Sequence, residues 1–291
     1  MTKLRDLKTS IRRRFEFIEF QLTWAGEVGR KKLQDQFEIS PQQATNDLTT
    51  YMDAYPGNMS YDPRRKSYVP GSEFEPQLTE GEASEYLMHI DMLHRQYRDQ
   101  SEIWVKDIPS FDAVGVHSRK IAQKTLKAVV RAIQKQEWLQ ARYISLASGN
   151  TGRRTLLPHA IASDSHRWHM RAFDFENARY SDFVLSRFDN LKVAEPPTKN
   201  VPKDVAWNSN VEVIFIADPS LEAARRERLE LEYGMRKGEL RLKVRQAMLF
   251  YFLRFYGFDA LEMDGSTLRN KSSFHLYLKN LDEVESCLGR R

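Results

Sequence analysis

The sequence predicts an α+β fold built from several domains, and three observations lead to that prediction. Ile11, Phe15 and Ile18 recur at helical spacing near the N-terminus. Short segments with strand-like patterns crowd together between residues 141 and 193. The proline-rich segment EPPTKNVPKD (195–204) separates them from a third region that mixes both patterns. A length of 291 residues fits two or three domains.

The composition is typical of a globular protein, and the single cysteine fits a reducing compartment. Apolar residues make up 41% and charged residues 29%, so a core can form. The net charge of +5 only weakly favours an anionic partner. Cys287 is the single cysteine, which excludes a disulfide framework within the chain and a cysteine-based zinc site. The basic N-terminus lacks the apolar core of a secretory signal, and no run of about 18 apolar residues occurs, so we expect a cytoplasmic protein without a membrane partner.

Two short helices joined by a tight turn are predicted between residues 30 and 54. Leu33 and Phe37 share one face of the first helix. Ser40 is a favourable N-cap, and Pro41 suits the first position of the second helix. Proline and glycine at positions 56 and 57 then end that helix.

A basic hairpin and a further helix follow. The segment MSYDPRRKSYVPG predicts short strands at Met59–Tyr61 and Ser67–Val69 around a turn at Asp62-Pro63-Arg64. Thr79 and Glu82 form a capping-box pattern in front of an amphipathic helix.

Two helices followed by a basic hairpin outline a winged helix-turn-helix, in which the N-terminal part of the second helix enters the major groove of DNA. Gln and Asn side chains there can contact adenine, and basic side chains on the first helix and hairpin tip suit phosphates. Each element alone could equally be a solvated polar surface, but the ordered combination favours DNA binding. The predicted DNA-contacting residues are Arg30, Lys31, Lys32, Ser40, Gln42, Gln43, Thr45, Asn46, Thr49, Thr50, Arg64, Arg65 and Lys66.

The rest of the chain predicts a linker helix, a strand-rich domain and a mixed C-terminal domain. The linker, residues 106–136, holds most of a helix that runs from about His117 to Trp138. Strands are expected in ARYISLAS, RRTLLPHAI, HRWHMRAFD and SDFVLSRFDNLKV, within residues 137–198. Residues 205–291 predict strand VEVIFIAD, helix PSLEAARRERLELEYG, helix GELRLKVRQAMLFYFLRFYG and strand SSFHLYLKN.

Three positively chargeable side chains alternate along SHRWHMRAFD. On a strand, Arg167, His169 and Arg171 share one face, whereas Trp168 and Met170 lie on the opposite, core-facing side. Unit charges about 7 Å apart repel by roughly 2 kcal/mol at an effective dielectric constant of about 20, so the row requires water, acids or a bound anion. Charge pattern alone favours pairing with acids, and a phosphate pocket is the alternative. The acids considered for this pairing are Asp174, Glu176, Asp182 and Asp189.

The segments RWHMRAFD and FVLSRFDNLKV resemble the core of a WYL domain, an Sm-like small β-barrel named for a Trp-Tyr-Leu tripeptide. Trp168 is retained, whereas His169 and Met170 replace the other two residues. Together with YIS, PHAI and the arginine of SRF, this departure resembles the WYL regulators of bacterial phage-defence islands, of the BrxR and CapW type. That branch also has an N-terminal winged helix and a C-terminal extension domain, so the likeness covers nearly the whole chain.

The resemblance implies a homodimeric repressor with a winged helix-turn-helix and helical extension (1–105), a WYL ligand-sensing domain (137–198) and a C-terminal α/β extension domain that supports dimerisation (205–291). It implies that the repressor binds an inverted-repeat DNA operator and controls a phage-defence operon, and that the protein is associated with the nucleoid. It also implies an effector that is an anionic small molecule or an oligonucleotide. We expect no cofactor, metal or catalytic residue. The residues implied to line the ligand pocket are Tyr143, Ser145, Arg154, His159, Arg167, His169, Arg171, Arg179 and Arg187.

A protein of another class remains an alternative at this point. The cations of the strand-rich domain could bind single-stranded nucleic acid in an accessory protein that stimulates a partner enzyme. Aromatic side chains stacked beside the cations would favour this, and Trp168 and Tyr180 are the candidates.

Overall fold

The fold is described from a computed structural model of the chain. The structure describes residues 8–105, 108–114, 119–146, 149, 151–195, 200–258 and 272–288. Parts of the predicted linker helix, of the turn that follows the segment ARYISLAS and of the proline-rich linker lie outside the described residues. The chain divides into two compact units, one formed by residues 1–116 and the other by residues 117–291. None of the described helices has the length and apolar character needed to cross a bilayer.

The first unit contains the two short helices and the hairpin that the sequence predicts. Its elements are α1 (Thr9–Trp24), α2 (Arg30–Phe37), α3 (Pro41–Ala54), β1 (Met59–Asp62), β2 (Ser67–Pro70) and α4 (Ala83–His94). The Ser40 hydroxyl accepts a hydrogen bond from the Gln43 N–H at 3.1 Å, and Pro41 occupies the first turn. The predicted start of α3 is therefore confirmed, and its cap satisfies one of the helix's otherwise unpaired N–H groups.

The hairpin β1–β2 is held against the start of α2 by the backbone. Val28 and Tyr68 exchange two backbone hydrogen bonds, at 2.8 and 2.9 Å. The Ser67 hydroxyl also donates to the Glu27 carboxylate at 2.9 Å. The segment before α2 thereby pairs with β2, so the wing has a fixed position relative to the two short helices.

A fully buried carboxylate, Glu19 on α1, organises the segment that follows the hairpin. It accepts a hydrogen bond from the Tyr51 hydroxyl at 3.0 Å. It also accepts from the backbone N–H groups of Gln77, Leu78 and Thr79, at 3.0, 2.8 and 2.9 Å. Glu19 therefore joins α1, α3 and the chain leading to α4 in one buried network.

This network explains why the predicted capping box is wrong. Both the N–H and the hydroxyl of Thr79 bond to Glu19. The helix α4 begins instead at Ala83, with Glu82 as an N-cap whose side chain makes no capping hydrogen bond. A buried carboxylate requires donors, and this requirement outweighs the local capping preference of Thr79.

The second unit contains two antiparallel sheets and the helices packed on them. Its elements are α5 (Gln123–Lys135), β3 (Trp138–Ile144), β4 (Thr151–Ser163), β5 (Trp168–Asp174), β6 (Arg179–Val184), a 3₁₀ turn (Leu185–Arg187), β7 (Phe188–Ala194), α6 (Val205–Asn208), β8 (Asn210–Ala217), α7 (Ala223–Glu232), β9 (Leu240–Arg245), a second 3₁₀ turn (Gln246–Met248), α8 (Leu249–Phe255), β10 (Leu276–Leu278) and α9 (Leu281–Leu288). The strand orders are β6-β5-β4-β3-β7 and β10-β8-β9.

The core of the five-stranded sheet includes side chains of α5 and the side chain of Tyr143 on β3. The predicted linker helix is shorter than expected, because Trp138 already begins β3. Val129 and Ala132 of α5 belong to the core of this sheet. The Tyr143 hydroxyl accepts from the Val184 N–H at 3.2 Å, so a side chain links β3 to the end of β6 across the sheet.

The strand β5 differs from its prediction at its N-terminal end. Met170 and Ala172 are buried as predicted, but 54% of Trp168 is exposed. Trp168 pairs with Ser163 beside the turn that joins β4 to β5, where the sheet ends and the core no longer covers the side chain. Arg167 precedes the strand and lies in that turn.

The C-terminal domain corrects one helix of the prediction. The segment LRLKVR forms the strand β9, which pairs with β8 through Val211–Val244 and Val213–Leu242. Its Leu and Val residues alternate with charged ones, which is strand periodicity, and the helix is confined to Leu249–Phe255. The last predicted strand shrinks to Leu276–Leu278, and the helix Leu281–Leu288 was not predicted.

The buried Glu19 network gives a stability prediction. Glu19→Ala leaves the Tyr51 O–H without an acceptor and several backbone N–H groups unpaired, so we expect a loss of at least about 3 kcal/mol in the free energy of unfolding. The matched control is Glu16→Ala on the same helix, which removes only a surface pair with Arg12 and should cost less than about 1 kcal/mol. Urea denaturation followed by circular dichroism measures both, and equal losses would contradict the network's role.

Candidate functional site

The exposed face of α3 presents polar side chains at helical spacing. Gln42, Asn46 and Thr49 are exposed and follow an i, i+4, i+7 pattern, with Thr50 exposed beside them. These are the predicted side chains that remain available to base edges. Amide and hydroxyl groups in this position can donate to and accept from bases in the major groove.

Three other predicted base-contacting residues are engaged within the helix. The Gln43 amide donates to Asp47 Oδ1 at 2.9 Å, the Thr45 hydroxyl donates to the Pro41 carbonyl at 3.0 Å, and Ser40 serves as the N-cap. These side chains shape the start of α3 and are only partly available for DNA. Their assignment as base contacts stays a prediction.

A buried ion pair, which sequence reasoning missed, holds α3 on α1. The Arg14 guanidinium donates to the Asp47 carboxylate through Nε at 2.6 Å and through Nη2 at 3.1 Å. Both side chains are almost completely buried. The signal in the sequence was an acidic residue, Asp47, in the middle of a helix whose one other charged residue, Asp53, lies near its C-terminal end. The pair gives the polar face of α3 a fixed orientation relative to the rest of the unit.

The basic side chains predicted to meet phosphates lie at the surface. Arg64, Arg65 and Lys66 are exposed at the tip of the hairpin. Asp62 Oδ1 accepts from the Arg64 N–H at 2.8 Å, which shapes the turn that displays them. On α2, Arg30 and Lys31 are exposed, whereas the Lys32 ammonium donates to the Glu27 carbonyl at 3.2 Å.

In the second unit, the cationic row is largely compensated by the protein's own acids. Arg171 is buried and donates to Asp204 through Nε at 2.7 Å and Nη2 at 3.1 Å. Its Nη1 donates to Asp182 Oδ1 at 3.1 Å. Burial is the largest single influence on the pKa of Arg171 and lowers it, but the hydrogen bonds and charges of Asp204 and Asp182 together outweigh burial, and the pKa is raised. Burial likewise acts most strongly on Asp204, but the hydrogen bond and charge of Arg171, with the Trp207 N–H and His159, together hold the pKa of Asp204 below its ordinary value.

Two further arginines have acidic partners. Arg167 donates to Asp164 Oδ2 at 2.8 Å, and although burial acts most strongly to raise the pKa of Asp164, the hydrogen bonds and charge of Arg167, with the charge of His169, together lower it. Arg154 lies 3.5 Å from Asp174. Pairing with acids, the ordinary explanation of the charge pattern, therefore holds for these arginines. The structure adds Asp164 and Asp204 to the acids considered from the sequence.

The other implied pocket residues lie in different environments. His159 Nε2 is 3.0 Å from Asp204 Oδ2, and its ring packs edge-on against Tyr180 and Trp207. Tyr143 is a core residue, and Ser145 is half-buried just beyond the end of β3. Arg179 is exposed and Arg187 half-buried, and neither has a carboxylate partner among the residues that the structure describes.

His169 is almost completely buried, and its Nδ1 has no hydrogen-bond partner among the residues that the structure describes. Its ring lies 5.1 Å from that of Tyr251 on α8, whose hydroxyl donates to Asp182 at 3.3 Å. Burial lowers the pKa of His169 below its ordinary value, although Asp164 acts in the opposite direction. His169 is therefore mainly neutral near pH 7, so the row carries less charge than the sequence suggests.

A cleft of about 120 Å³ opens beside the turn before β5. Arg254 and Phe255 of α8 contribute to it, and 62% of Phe255 is exposed. The remaining lining residues are Asp164, His166, Arg167 and Tyr251. Arginine, histidine and aromatic side chains in one cleft can bind an anionic group and stack on a planar ring. Within the described part of the chain, no group of three His, Cys, Asp or Glu side chains is placed to hold a metal ion.

Family models match three consecutive parts of the chain. Residues 10–92 match the winged helix-turn-helix domain of the BrxR transcriptional regulator. Residues 124–193 match the WYL domain, and residues 210–284 match the C-terminal dimerization domain of the BrxR transcriptional regulator.

Curated relatives are similar over nearly the whole chain. A DNA-binding transcriptional repressor CapW of Escherichia coli (strain KTE188) is 33% identical over 95% of this chain and 91% of its own length. The CapW repressors of Stenotrophomonas maltophilia and Pseudomonas aeruginosa are 32% and 30% identical, over 94% and 95% of this chain and 90% and 91% of their own. Among solved structures, proteasome accessory factor B/C of Arthrobacter aurescens is 16% identical with a TM-score of 0.32, over 96% of this chain and 46% of that one. That likeness is too weak to carry an argument.

The winged helix and these matches define the class: the protein is a DNA-binding transcriptional repressor with a WYL domain and a C-terminal dimerization domain, not an enzyme. More narrowly, the chain belongs to the BrxR and CapW family of transcriptional regulators. The family likeness drawn from the sequence is thus confirmed, as is the α+β multidomain fold.

The buried His169 predicts a pH dependence of stability. Its pKa in the folded protein lies below the ordinary value of about 6.5, so the unfolded state takes up the proton first as the pH falls. Stability is therefore full above about pH 6.5 and falls on acidification, by at most about 1.4 kcal/mol per pH unit for this group. Thermal unfolding from about pH 5 to about pH 7.5 should show a shallower dependence for His169→Phe. The control His166→Phe, at an exposed position nearby, should keep the wild-type dependence, and identical curves for all three proteins would contradict the prediction.

Proposed function

We propose that the protein binds an inverted-repeat operator as a homodimer, represses a phage-defence operon, and releases the operator when an anionic ligand binds its WYL domain. We place this activity in the cytoplasm, on the nucleoid. The observation that carries the proposal is the polar face of α3 beside an exposed basic wing, both held on one scaffold. The repressor relatives and the dimerization-domain match support it.

The buried contacts of the first unit support the operator-reading role. Arg14 and Asp47 fix α3 on α1, and Val28 fixes the wing beside α2. Recognition of base edges depends on donors and acceptors held at defined positions. In a two-fold symmetric dimer, the reading helices meet half-sites one helical turn apart, roughly 34 Å, or a multiple of it.

The effector part of the proposal rests on the cleft between the β5 turn and α8. Arg167 and Arg254 lie there with the exposed Phe255. Among the described residues no carboxylate is paired with Arg254, and its guanidinium contributes a second cation to the cleft beside Arg167. Its guanidinium lies 5.7 Å from the centre of the Phe250 ring.

One specific observation favours the alternative role, that of an accessory protein which binds single-stranded nucleic acid. Trp168 is more than half exposed beside Arg167, where a base could stack. Tyr180 is less suited to stacking, since its hydroxyl donates to the Pro202 carbonyl and its ring packs against Phe173. Preference for single strands over promoter duplex would support this role.

The wing gives the first functional prediction. Arg64→Ala/Arg65→Ala/Lys66→Ala should weaken binding to the promoter duplex upstream of the protein's own gene. It should also reduce the slope of log affinity against log salt by about 2 to 3, because each neutralised phosphate releases counterions. Gel retardation of this duplex and of a random duplex, at several salt concentrations, measures both effects.

A control variant with the same change in net charge distinguishes phosphate contacts made by the wing from an effect of total charge. Arg225, Arg226 and Arg228 are exposed on α7 of the other unit. Their triple alanine variant should retain wild-type affinity and salt slope. Equal behaviour of the two triple variants, or equal wild-type affinity for promoter and random duplex, would contradict the proposed function.

The cleft gives the second functional prediction. Inorganic pyrophosphate, adenosine monophosphate and a 5′-phosphorylated thymidine trinucleotide serve as probes, and at least one should lower wild-type operator affinity by about tenfold or more. Arg254→Ala should remove that response. Arg167→Lys keeps a cation beside the buried Asp164 carboxylate but removes the guanidinium fork, and it should weaken the response. The control Arg153→Ala changes an exposed arginine of the same sheet, outside the cleft, and should respond as wild type. No response of the wild type to any probe would contradict the effector role.

Arg171→Ala is unsuitable for this experiment. Removing the Arg171 guanidinium would leave two buried carboxylates, Asp182 and Asp204, without their main partner. Breaking one side of a buried ion pair costs roughly 3–5 kcal/mol. A lost response in that variant would therefore report damaged folding.

A further inference from the structure

One carboxylate outside the WYL strands occupies the centre of the cationic row. Asp204 lies after the residues that match the WYL domain and before those that match the C-terminal domain. It is nonetheless buried on the WYL sheet, where it accepts both hydrogen bonds of the Arg171 fork from β5. His159 on β4 lies 3.0 Å from its Oδ2 atom.

The same carboxylate is joined to the first element of the C-terminal domain. Asp204 Oδ1 accepts from the Trp207 N–H at 3.1 Å, and the Asn208 amide donates to the Asp204 carbonyl at 2.8 Å. The guanidinium of Arg245 on β9 lies 4.5 Å from the centre of the Trp207 ring and donates to the Trp207 carbonyl. Asp204 therefore links the WYL cations to α6 and, through α6, to the sheet of the C-terminal domain.

The groups around Asp204 form a typical receptor for an oxyanion. A planar guanidinium fork matches the two oxygens of a carboxylate or of a phosphate equally well. An imidazole at hydrogen-bond distance adds a donor when its Nε2 carries the proton. The occupant of this receptor in the structure is a side chain of the chain itself.

We propose that Asp204 is an internal anion occupying a phosphate-binding position formed by Arg171 and His159, and that a phosphate group of the effector replaces it. Replacement detaches α6 from the WYL sheet and so changes how the WYL and C-terminal domains are joined. This inference rests on the proposed effector response and names its regulatory step. The shared ligand chemistry is a phosphate group, carried by a small metabolite or by a nucleic-acid fragment.

Three features of the site permit this exchange. Arg171 keeps Asp182 as a second partner, so it is not left without compensation while Asp204 leaves. The His159 side chain is 31% exposed, which opens one side of the site to solvent. A phosphate carries up to two negative charges and more acceptor oxygens than a carboxylate, so it can replace the carboxylate on the same donors.

A tethered competitor also sets the apparent affinity of the ligand. Asp204 is covalently attached and therefore present at a high effective concentration beside Arg171. The effector binds only the fraction of molecules in which Asp204 has left, so its apparent affinity is reduced by that fraction. Weakening Asp204 should therefore strengthen anion binding and, in the same molecule, weaken the contact that joins the two domains.

The first test is the variant Asp204→Asn, in which the amide oxygen can still accept from the Trp207 N–H while the charge is removed. Calorimetric titration with pyrophosphate and with the 5′-phosphorylated thymidine trinucleotide should show binding at least about tenfold tighter than in the wild type. Operator affinity without any probe should fall. The control Glu212→Gln removes one exposed carboxylate, which pairs with Arg241 on the surface, and should match the wild type in both measurements.

The second test uses the wild-type protein and therefore does not depend on the folding of a variant. Hydrogen–deuterium exchange of the Trp207 and Asn208 amides should become faster in the presence of either probe. Unchanged exchange there overturns the inference. So does Asp204→Asn if it binds both probes no more tightly than the wild type.

These outcomes are distinguishable from failure of the proposed function. Probes that release the operator from the wild type without changing exchange at Trp207 leave the effector role standing and remove Asp204 from it. Tighter binding to Asp204→Asn together with faster exchange at Trp207, but no effect on the operator, supports the exchange step and removes the effector role. Pyrophosphate preference indicates a phosphorylated metabolite, and trinucleotide preference indicates a nucleic-acid fragment; either supports the inference.

Discussion

The compensation of buried charge is the constraint on which most of this structure depends. An ionised side chain taken out of water needs a partner of opposite charge or several hydrogen bonds. Arg14, Glu19 and Arg171 all meet this requirement with groups distant in sequence. Each solution joins elements that hydrophobic packing alone would bring together less specifically. The positions of α3, of the chain before α4 and of α6 follow from these three sites.

In the first unit, the compensation of buried charge helps to fix the orientation of α3 relative to α1. The exposed residues of α3 are held at a fixed rotation about the helix axis by the side chains that the helix buries, which include Leu48 and Tyr51 in the core. Asp47, on the opposite face, is fixed by the Arg14 fork and in turn accepts from the Gln43 amide. A buried pair with two directional hydrogen bonds tolerates little rotation of either partner. The face that carries Gln42 and Asn46 is therefore oriented by a contact on the other side of the helix.

How much could be predicted from the sequence depended on whether a signal was local. The helix start at Ser40-Pro41 and the hairpin turn at Asp62 are decided by a few neighbouring residues, and both are confirmed. The strand β9 had two conflicting local signals: Leu, Arg and Lys favour a helix, whereas the alternation of apolar and charged residues favours a strand. Its pairing with β8 decides for the strand. Asp204 was missed as a partner of Arg171 because 33 residues separate them and no periodicity marks the contact. The site residues Arg254 and Phe255 were hidden in a segment whose composition indicates a core.

The cationic row is therefore better understood as a set of paired arginines than as an open anion pocket. Any ligand that reaches Arg171 competes with carboxylates, not only with water. Such competition weakens ligand binding, but it also couples binding to a change in conformation. A ligand shifts a conformational equilibrium only by the difference in its affinity for the two states. Contacts with Arg254 that persist in both states would hold the ligand without changing the protein. Contacts that displace Asp204 exist in one state only, so in the proposed mechanism they carry the signal from the WYL sheet to α6.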